Sequence, residues 1–95
     1  MLRKNSFVIN PKENSTYLFN RKILNFLLDY GIITPFKDNT NKPKFLLVNP
    51  DFLEEILEGF GDIPQGFNLY RKINYVYTKH LETFKYKLKE NGSKI

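Results

Sequence analysis

The chain has no cysteine, no tryptophan and no alanine. The first absence removes disulfides, thiolate metal sites and cysteine nucleophiles together. The single histidine, His80, has no second imidazole to help it complete a transition-metal site. Long apolar runs are missing too, since none approaches the roughly 18 to 20 residues that a bilayer-spanning helix needs. The chain therefore reads as having no integral membrane segment. Met1-Leu2-Arg3-Lys4-Asn5-Ser6 is basic, but the apolar stretch of a secretory signal does not follow it. There is no Gly-rich phosphate loop: Gly59-Phe60-Gly61 lacks a third glycine and a preceding strand. Ser6, Ser15 and Ser93 stand without a base or acid at nucleophile spacing. These absences lead us to expect a nonenzymatic protein with no catalytic residues, no cofactor, no bound metal and no small-molecule substrate.

What is present is lysine, asparagine and aromatic residues. Lysine outnumbers arginine twelve to three, and Asn, Lys, Ile, Phe and Tyr together fill about half of the 95 positions. All five are encoded by codons rich in A and T. The composition thus points to an AT-rich gene, either mitochondrial and organelle-encoded or from a low-GC bacterium or its phage, with the cytoplasm as the corresponding bacterial location. Nine Phe and six Tyr supply enough apolar area for one core without alanine. Residues 1–95 read as a single domain.

Net charge is +5, unevenly spread. Between Pro50 and Ile63 lie five carboxylates, Asp51, Glu54, Glu55, Glu58 and Asp62, with no Lys or Arg, so the rest of the chain is strongly basic. A protein with one acidic stretch and a basic remainder suits a polyanion on one face and a different neighbour on the other.

Hydrophobic periodicity predicts the elements. Ser6-Phe7-Val8-Ile9-Asn10 reads as a strand stopped by Pro11. Asn14, Ser15 and Thr16 offer capping oxygens for a helix over residues 16–30 that closes on Gly31, with Arg21, Lys22, Asn25 and Asp29 as its solvent stripe. Ile32 to Phe36 and Lys44 to Val48 read as a hairpin whose tip, Lys37 to Pro43, is basic and polar. Asn49-Pro50-Asp51 starts a second helix that ends near Gly59. From Asn68 to Glu90, Leu69, Ile73, Val76, Tyr77, His80, Leu81, Phe84 and Leu88 recur at helical spacing, which predicts one long amphipathic C-terminal helix with His80 packed in the core. Residues 91–95 are expected to be a frayed tail. The predicted fold is α+β: three helices on a small, mostly antiparallel sheet, in the order β-α-β-β-α-α.

The outward face of the long helix would carry Arg71, Tyr75, Lys79, Glu82, Tyr86 and Lys89, with Lys85 beside them, and Lys72 joins the residues expected to bind nucleic acid or a partner. Lysine and arginine there can meet phosphates, and the tyrosines can stack on unpaired bases or pack on a partner protein. The hairpin lysines Lys37, Lys42 and Lys44 form a second basic group. The acidic helix reads as an amphipathic helix with an acidic polar face, not as a Mg²⁺ site.

Two resemblances follow from these segments. The helix closing on Gly31, the apolar pair Ile32-Ile33 and the hairpin through Phe36 to Leu47 resemble the N-terminal half of the small-subunit ribosomal protein eight family. Pro64-Gln65-Gly66-Phe67-Asn68-Leu69-Tyr70-Arg71-Lys72 is similar to that family's Pro-Gly-x-Arg-x-Tyr-Lys stretch. The family's C-terminal domain, with its Ser-Thr-Ser-Lys-Gly loop, has no counterpart, so the resemblance implies a truncated organellar relative that binds ribosomal RNA. Leu27 to Pro50 also resembles winged-helix DNA-binding domains, which would imply duplex DNA as the partner. The resulting expectation is an RNA-binding ribosomal or ribonucleoprotein component, with RNA and neighbouring proteins of a large assembly as partners. The rival expectations are an accessory protein-binding subunit of an organellar respiratory complex or a phage inhibitor, and a winged-helix-like DNA binder.

Overall fold

The computed structural model describes residues 5–36 and 44–92. Lys37, Lys42 and the hairpin tip they belong to, and the tail beyond Gly92, lie outside the described residues. The chain is α+β and divides into two compact units, Met1–Pro50 and Asp51–Ile95.

The first unit holds a four-stranded mixed sheet and one helix. Strand β1 is Asn5–Asn10, β2 is Ser15–Asn20, helix α1 is Arg21–Asp29, β3 is Ile33–Phe36 and β4 is Lys44–Leu47. The sheet order is β2-β1-β4-β3, with β1–β2 and β3–β4 antiparallel and the central β1–β4 pair parallel. The expected hairpin of β3 and β4 is present, but the expected helix over 16–30 is not. Its first third is strand β2, paired residue for residue with β1 from Asn5↔Asn20 to Asn10↔Ser15. Within β2, Tyr17 and Phe19 turn inward while Thr16, Leu18 and Asn20 are exposed, the period of two that a strand imposes.

A local polar network sets the β1–β2 turn. The amide of Asn10, fully buried, accepts from the Lys12 N–H at 3.0 Å and donates to Glu13 Oε1 at 2.8 Å. The same carboxylate oxygen accepts from the hydroxyls of Ser15 and Tyr17. Burial, and then this hydrogen bond, push the Tyr17 phenol above its ordinary pKa. Asn14 takes φ +53°, a left-handed conformation that asparagine tolerates better than most residues. The oxygens at 14–16 therefore serve a turn and a strand. The cap of α1 is Asn20, whose side chain accepts from the Ile23 N–H at 3.0 Å. At the other end, the Gly31 N–H bonds Leu28 O and the Ile32 N–H bonds Leu27 O, a Schellman stop with Gly31 at φ +71°.

Helix α1 lies against β1, β2 and β3 and buries Ile23, Leu24, Phe26 and Leu27, leaving the predicted stripe of Arg21, Lys22, Asn25 and Asp29 exposed. One face of the sheet is buried through Val8, Phe19, Ile33 and Leu47. The opposite face stays open.

The second unit is helical. Helix α2 is Pro50–Glu58, α3 is Leu69–Lys79 and α4 is Leu81–Gly92. The predicted acidic helix is α2. The single long helix expected over 68–90 is instead two helices, so the described chain has four helices rather than three and runs β-β-α-β-β-α-α-α. The break is at His80, whose φ −131° and ψ 38° leave the helical region. His80 N–H still bonds Val76 O at 2.8 Å, and His80 O accepts from the Phe84 N–H at 2.8 Å. One residue thus ends α3 and starts α4. The expected fraying from residue 91 is also corrected, because Asn91 and Gly92 belong to α4 and the Asn91 amide donates to Lys87 O at 2.9 Å. The α3 side chains Leu69, Ile73 and Val76 and the α4 side chains Phe84 and Leu88 are buried, as the periodicity predicts. Among the described residues no helix is long and apolar enough to cross a membrane.

Candidate nucleic-acid interface

Helix α3 begins at a well-formed cap, the Asn68 side chain accepting from the Arg71 N–H at 2.9 Å. That start sets the rotation of everything after it. Arg71, Tyr75 and Lys79 recur every four residues, so they form one row along the helix surface, and Phe67, just before the Asn68 cap, extends that row through its contacts with Arg71 and Tyr75. Within the row aromatic and cation alternate. The Arg71 guanidinium lies 5.6 Å from the Phe67 ring centroid, and Lys79 Nζ lies 5.2 Å from that of Tyr75. The two rings meet edge to face, 5.9 Å apart. Tyr70, Asn74 and Thr78 form the adjacent row, and the two rows line a shallow, open groove of about 480 Å³.

Beyond Tyr75 the rings continue inward. His80 lies 6.3 Å from Tyr75 and stacks on Phe60 at 5.2 Å, and Phe60 meets the buried Phe84 edge to face at 6.2 Å. Lys87 Nζ sits 4.9 Å from the Phe60 centroid. The Asp62 carboxylate holds this array from the loop after α2. Its Oδ2 accepts from the Tyr75 hydroxyl at 3.0 Å and lies 2.8 Å from His80 Nε2. The His80 bond, aided by that from Tyr75, keeps the Asp62 carboxyl below its ordinary pKa. Burial, and then hydrogen bonding to Asp62, raise the Tyr75 phenol above its own.

His80 is therefore half-buried and hydrogen-bonded rather than a sealed core residue, which corrects the expectation for it. Tyr75 is likewise no free outward tyrosine, since its hydroxyl is tied down and its ring forms part of the α3 row. The Asp62, His80 and Tyr75 contacts orient rings. Among the described residues no group of three or more His, Asp or Glu gathers to hold a metal ion.

The structure brings Arg71, Tyr75 and Lys79 together, and Lys72 lies half-buried on α3 beside a smaller cleft with Phe60, Pro64 and Gln65. On α4, Lys85 Nζ is 3.5 Å from Glu82, Lys89 is exposed in the last turn, and neither lines the α3 groove. Tyr86, 65% exposed, lines a separate groove with Phe52, Ile56 and Lys87. Lys44 opens β4 in the first unit. Four members of the array had no place in the sequence-based set: Phe60, Asp62, Phe67 and Lys87. Phe67 carried a usable signal, being four residues before Arg71 and eight before Tyr75. The chain matches no known protein-family model, no curated protein and no solved structure.

Proposed function

We propose that the chain is a nonenzymatic RNA-binding component of a ribosomal or other ribonucleoprotein assembly, with the α3 row as a principal contact. The observation that carries this reading is the alternation Phe67, Arg71, Tyr75, Lys79 on one groove wall. A planar guanidinium and an ammonium placed against rings give charge for phosphates and flat surfaces for bases within one strip. The Asp62 bonds support it further, because a ring already fixed in place loses little entropy when a base stacks on it.

Fluorescence anisotropy with a labelled single-stranded RNA, titrated over a range of salt, tests the proposal. We expect log affinity to fall linearly with log salt, and Arg71→Gln with Lys79→Gln to reduce the slope by about 1.4, two phosphates at about 0.7 each for a single strand. Both positions are exposed, so the fold should survive. Unchanged affinity and slope in the double variant would remove α3 as the contact. Absence of RNA binding by the unaltered chain, with a protein co-purifying instead, would favour an accessory protein-binding subunit.

A further inference from the structure

A second groove lies within the helical unit, between α2 and α4. Phe52, Glu55, Ile56 and Gly59 line it from one helix and Tyr86, Lys87 and Glu90 from the other, positions that share one face of each helix. The groove runs about 10 Å along each helix. Its volume of about 480 Å³ gives room for more than one side chain. Ile56 is buried and Phe52 half-buried, so they form the floor. Tyr86 stands at the edge, the most exposed of the large apolar side chains among the described residues.

Charge on the lining itself selects the occupant. Glu55 and Glu90 stand on the two facing helices, both exposed, and among the described residues neither takes a hydrogen bond or an ion pair. Lys87 is the one basic residue among the described residues that line the groove, and it is directed elsewhere. Its ammonium lies 4.9 Å from the Phe60 centroid, and a Cβ on Gly59 would come within 2.7 Å of it. That position is the C-terminus of α2, whose own last turn has no basic residue, so Lys87 answers the negative end of the helix dipole and leaves both carboxylates uncompensated. Two carboxylates are too few to hold a metal ion, and no group of three or more metal-binding side chains gathers among the described residues. Two carboxylates above an apolar floor, with a phenol ring beside them, instead complement arginine and lysine side chains, whose stems are apolar and whose heads are charged. The same carboxylates repel phosphates, so this groove and the α3 row differ in what they accept.

We infer that the α2–α4 groove binds a basic amphipathic segment of a partner protein. Its arginine or lysine heads pair with Glu55 and Glu90, and its apolar side chains rest on Phe52 and Ile56 beside Tyr86. The segment is held as a helix-binding groove holds its ligand, by apolar anchors with charge at the rim. This goes beyond RNA binding and does not depend on it.

The full-length chain would be titrated, by anisotropy and by NMR of its amides, with a short labelled amphipathic peptide of leucine and arginine and with the counterpart of leucine and glutamate. The arginine peptide is expected to bind and to shift the amide signals of Glu55, Tyr86 and Glu90, and the glutamate peptide to stay free. Glu55→Gln and Glu90→Gln each remove one exposed ion pair and should weaken binding about two- to fivefold, and Tyr86→Ala about fivefold or more. Glu58→Gln, exposed on α2 but outside this groove, should leave binding unchanged. All four side chains are exposed, and circular dichroism checks that the fold survives. Equal weakening by Glu58→Gln, or equal binding of the two peptides, would mean general charge attraction and overturn the inference. No binding of the arginine peptide, or binding indifferent to the Glu55, Tyr86 and Glu90 variants, would overturn it as well. Either result leaves the α3 reading standing, because Arg71 and Lys79 line a different groove. Groove amides shifted by single-stranded RNA and not by the peptide would assign the groove to nucleic acid and overturn the inference.

Discussion

Asp62 joins two side chains that lie 13 and 18 residues further along the chain, and its effect on each has a definite sign. Its carboxyl titrates below the ordinary 3.8, so the folded state gains from the ionised form above that value and loses the gain as pH falls through the lowered one. The Tyr75 phenol titrates above 10.0, so its contribution is complete below pH 10 and is lost as pH rises through the raised value. In Asp62→Asn we expect the acid-induced loss of stability to become shallower below about pH 4. The Tyr75 ionisation, followed by carbon NMR of its ring, should move back toward 10.0 without reaching it, because burial is the larger cause and remains. An unmoved Tyr75 midpoint would exclude the hydrogen bond. At this scale Arg71, Tyr75 and Lys79 were readable from their spacing alone. Asp62 was not, since periodicity along a helix says nothing about a loop carboxylate folded back onto it.

At the scale of elements, the misread starts of α1 and α4 both arise where a hydrophobic pattern runs through a boundary. Phe19 of β2 and Ile23 of α1 stand four residues apart, one helical step across Asn20, Arg21 and Lys22, so the stretch reads as one broad apolar helix. The discriminating residues are Leu18, exposed between two inward aromatics, and Asn20, a capping type that follows Asn14, Ser15 and Thr16 and sits directly before the helix. Between α3 and α4, the four-residue steps from Val76 to His80 to Phe84 preserve the helical period across the break, and only the geometry of His80 shows it. The caps can be tested directly. Asn20→Ala and Asn68→Ala should each lower stability by about 1 kcal/mol in urea unfolding, since each removes the acceptor of an orphan N–H. Gly31→Ala should cost about 1 kcal/mol as well, because a Cβ there meets open space but not a relaxed backbone at φ +71°. No loss of stability in the cap variants would mean that water satisfies those donors equally well.

For the molecule as a whole, the α+β class was readable from composition and pattern, but the expected aromatic core was so only in part: Phe19, Phe26, Phe60 and Phe84 are buried, while leucine and isoleucine make up most of the buried set among the described residues. Phe19 and Phe84 are the largest of the side chains with almost no exposed surface. A chain of 95 residues has roughly 5 to 14 kcal/mol of stability to lose. Phe84→Ala should remove about 3 to 5 kcal/mol of it, lowering the urea midpoint by a large fraction. A small shift would mean that the neighbouring Phe60 and His80 collapse into the space. The division of charge, a basic first unit and a balanced second, was only half legible. The acidic stretch stood out, but where one unit ends and the next begins depends on contacts, and the boundary at Pro50 puts that stretch with the lysines of α3 and α4.

The parallel pairing of β1 with β4 bears on how the first unit assembles. Each of its two antiparallel pairs joins strands that are neighbours in sequence, and such pairing happens on the microsecond scale. Joining them requires Val8 to find Phe45 across β2, α1 and β3, so the entropy of that long closure must be met before the central ladder returns anything. Refolding kinetics should therefore be governed by this one seam, and substitutions along it at Ile9 or Leu46 should slow folding more than equally destabilising ones elsewhere in either hairpin.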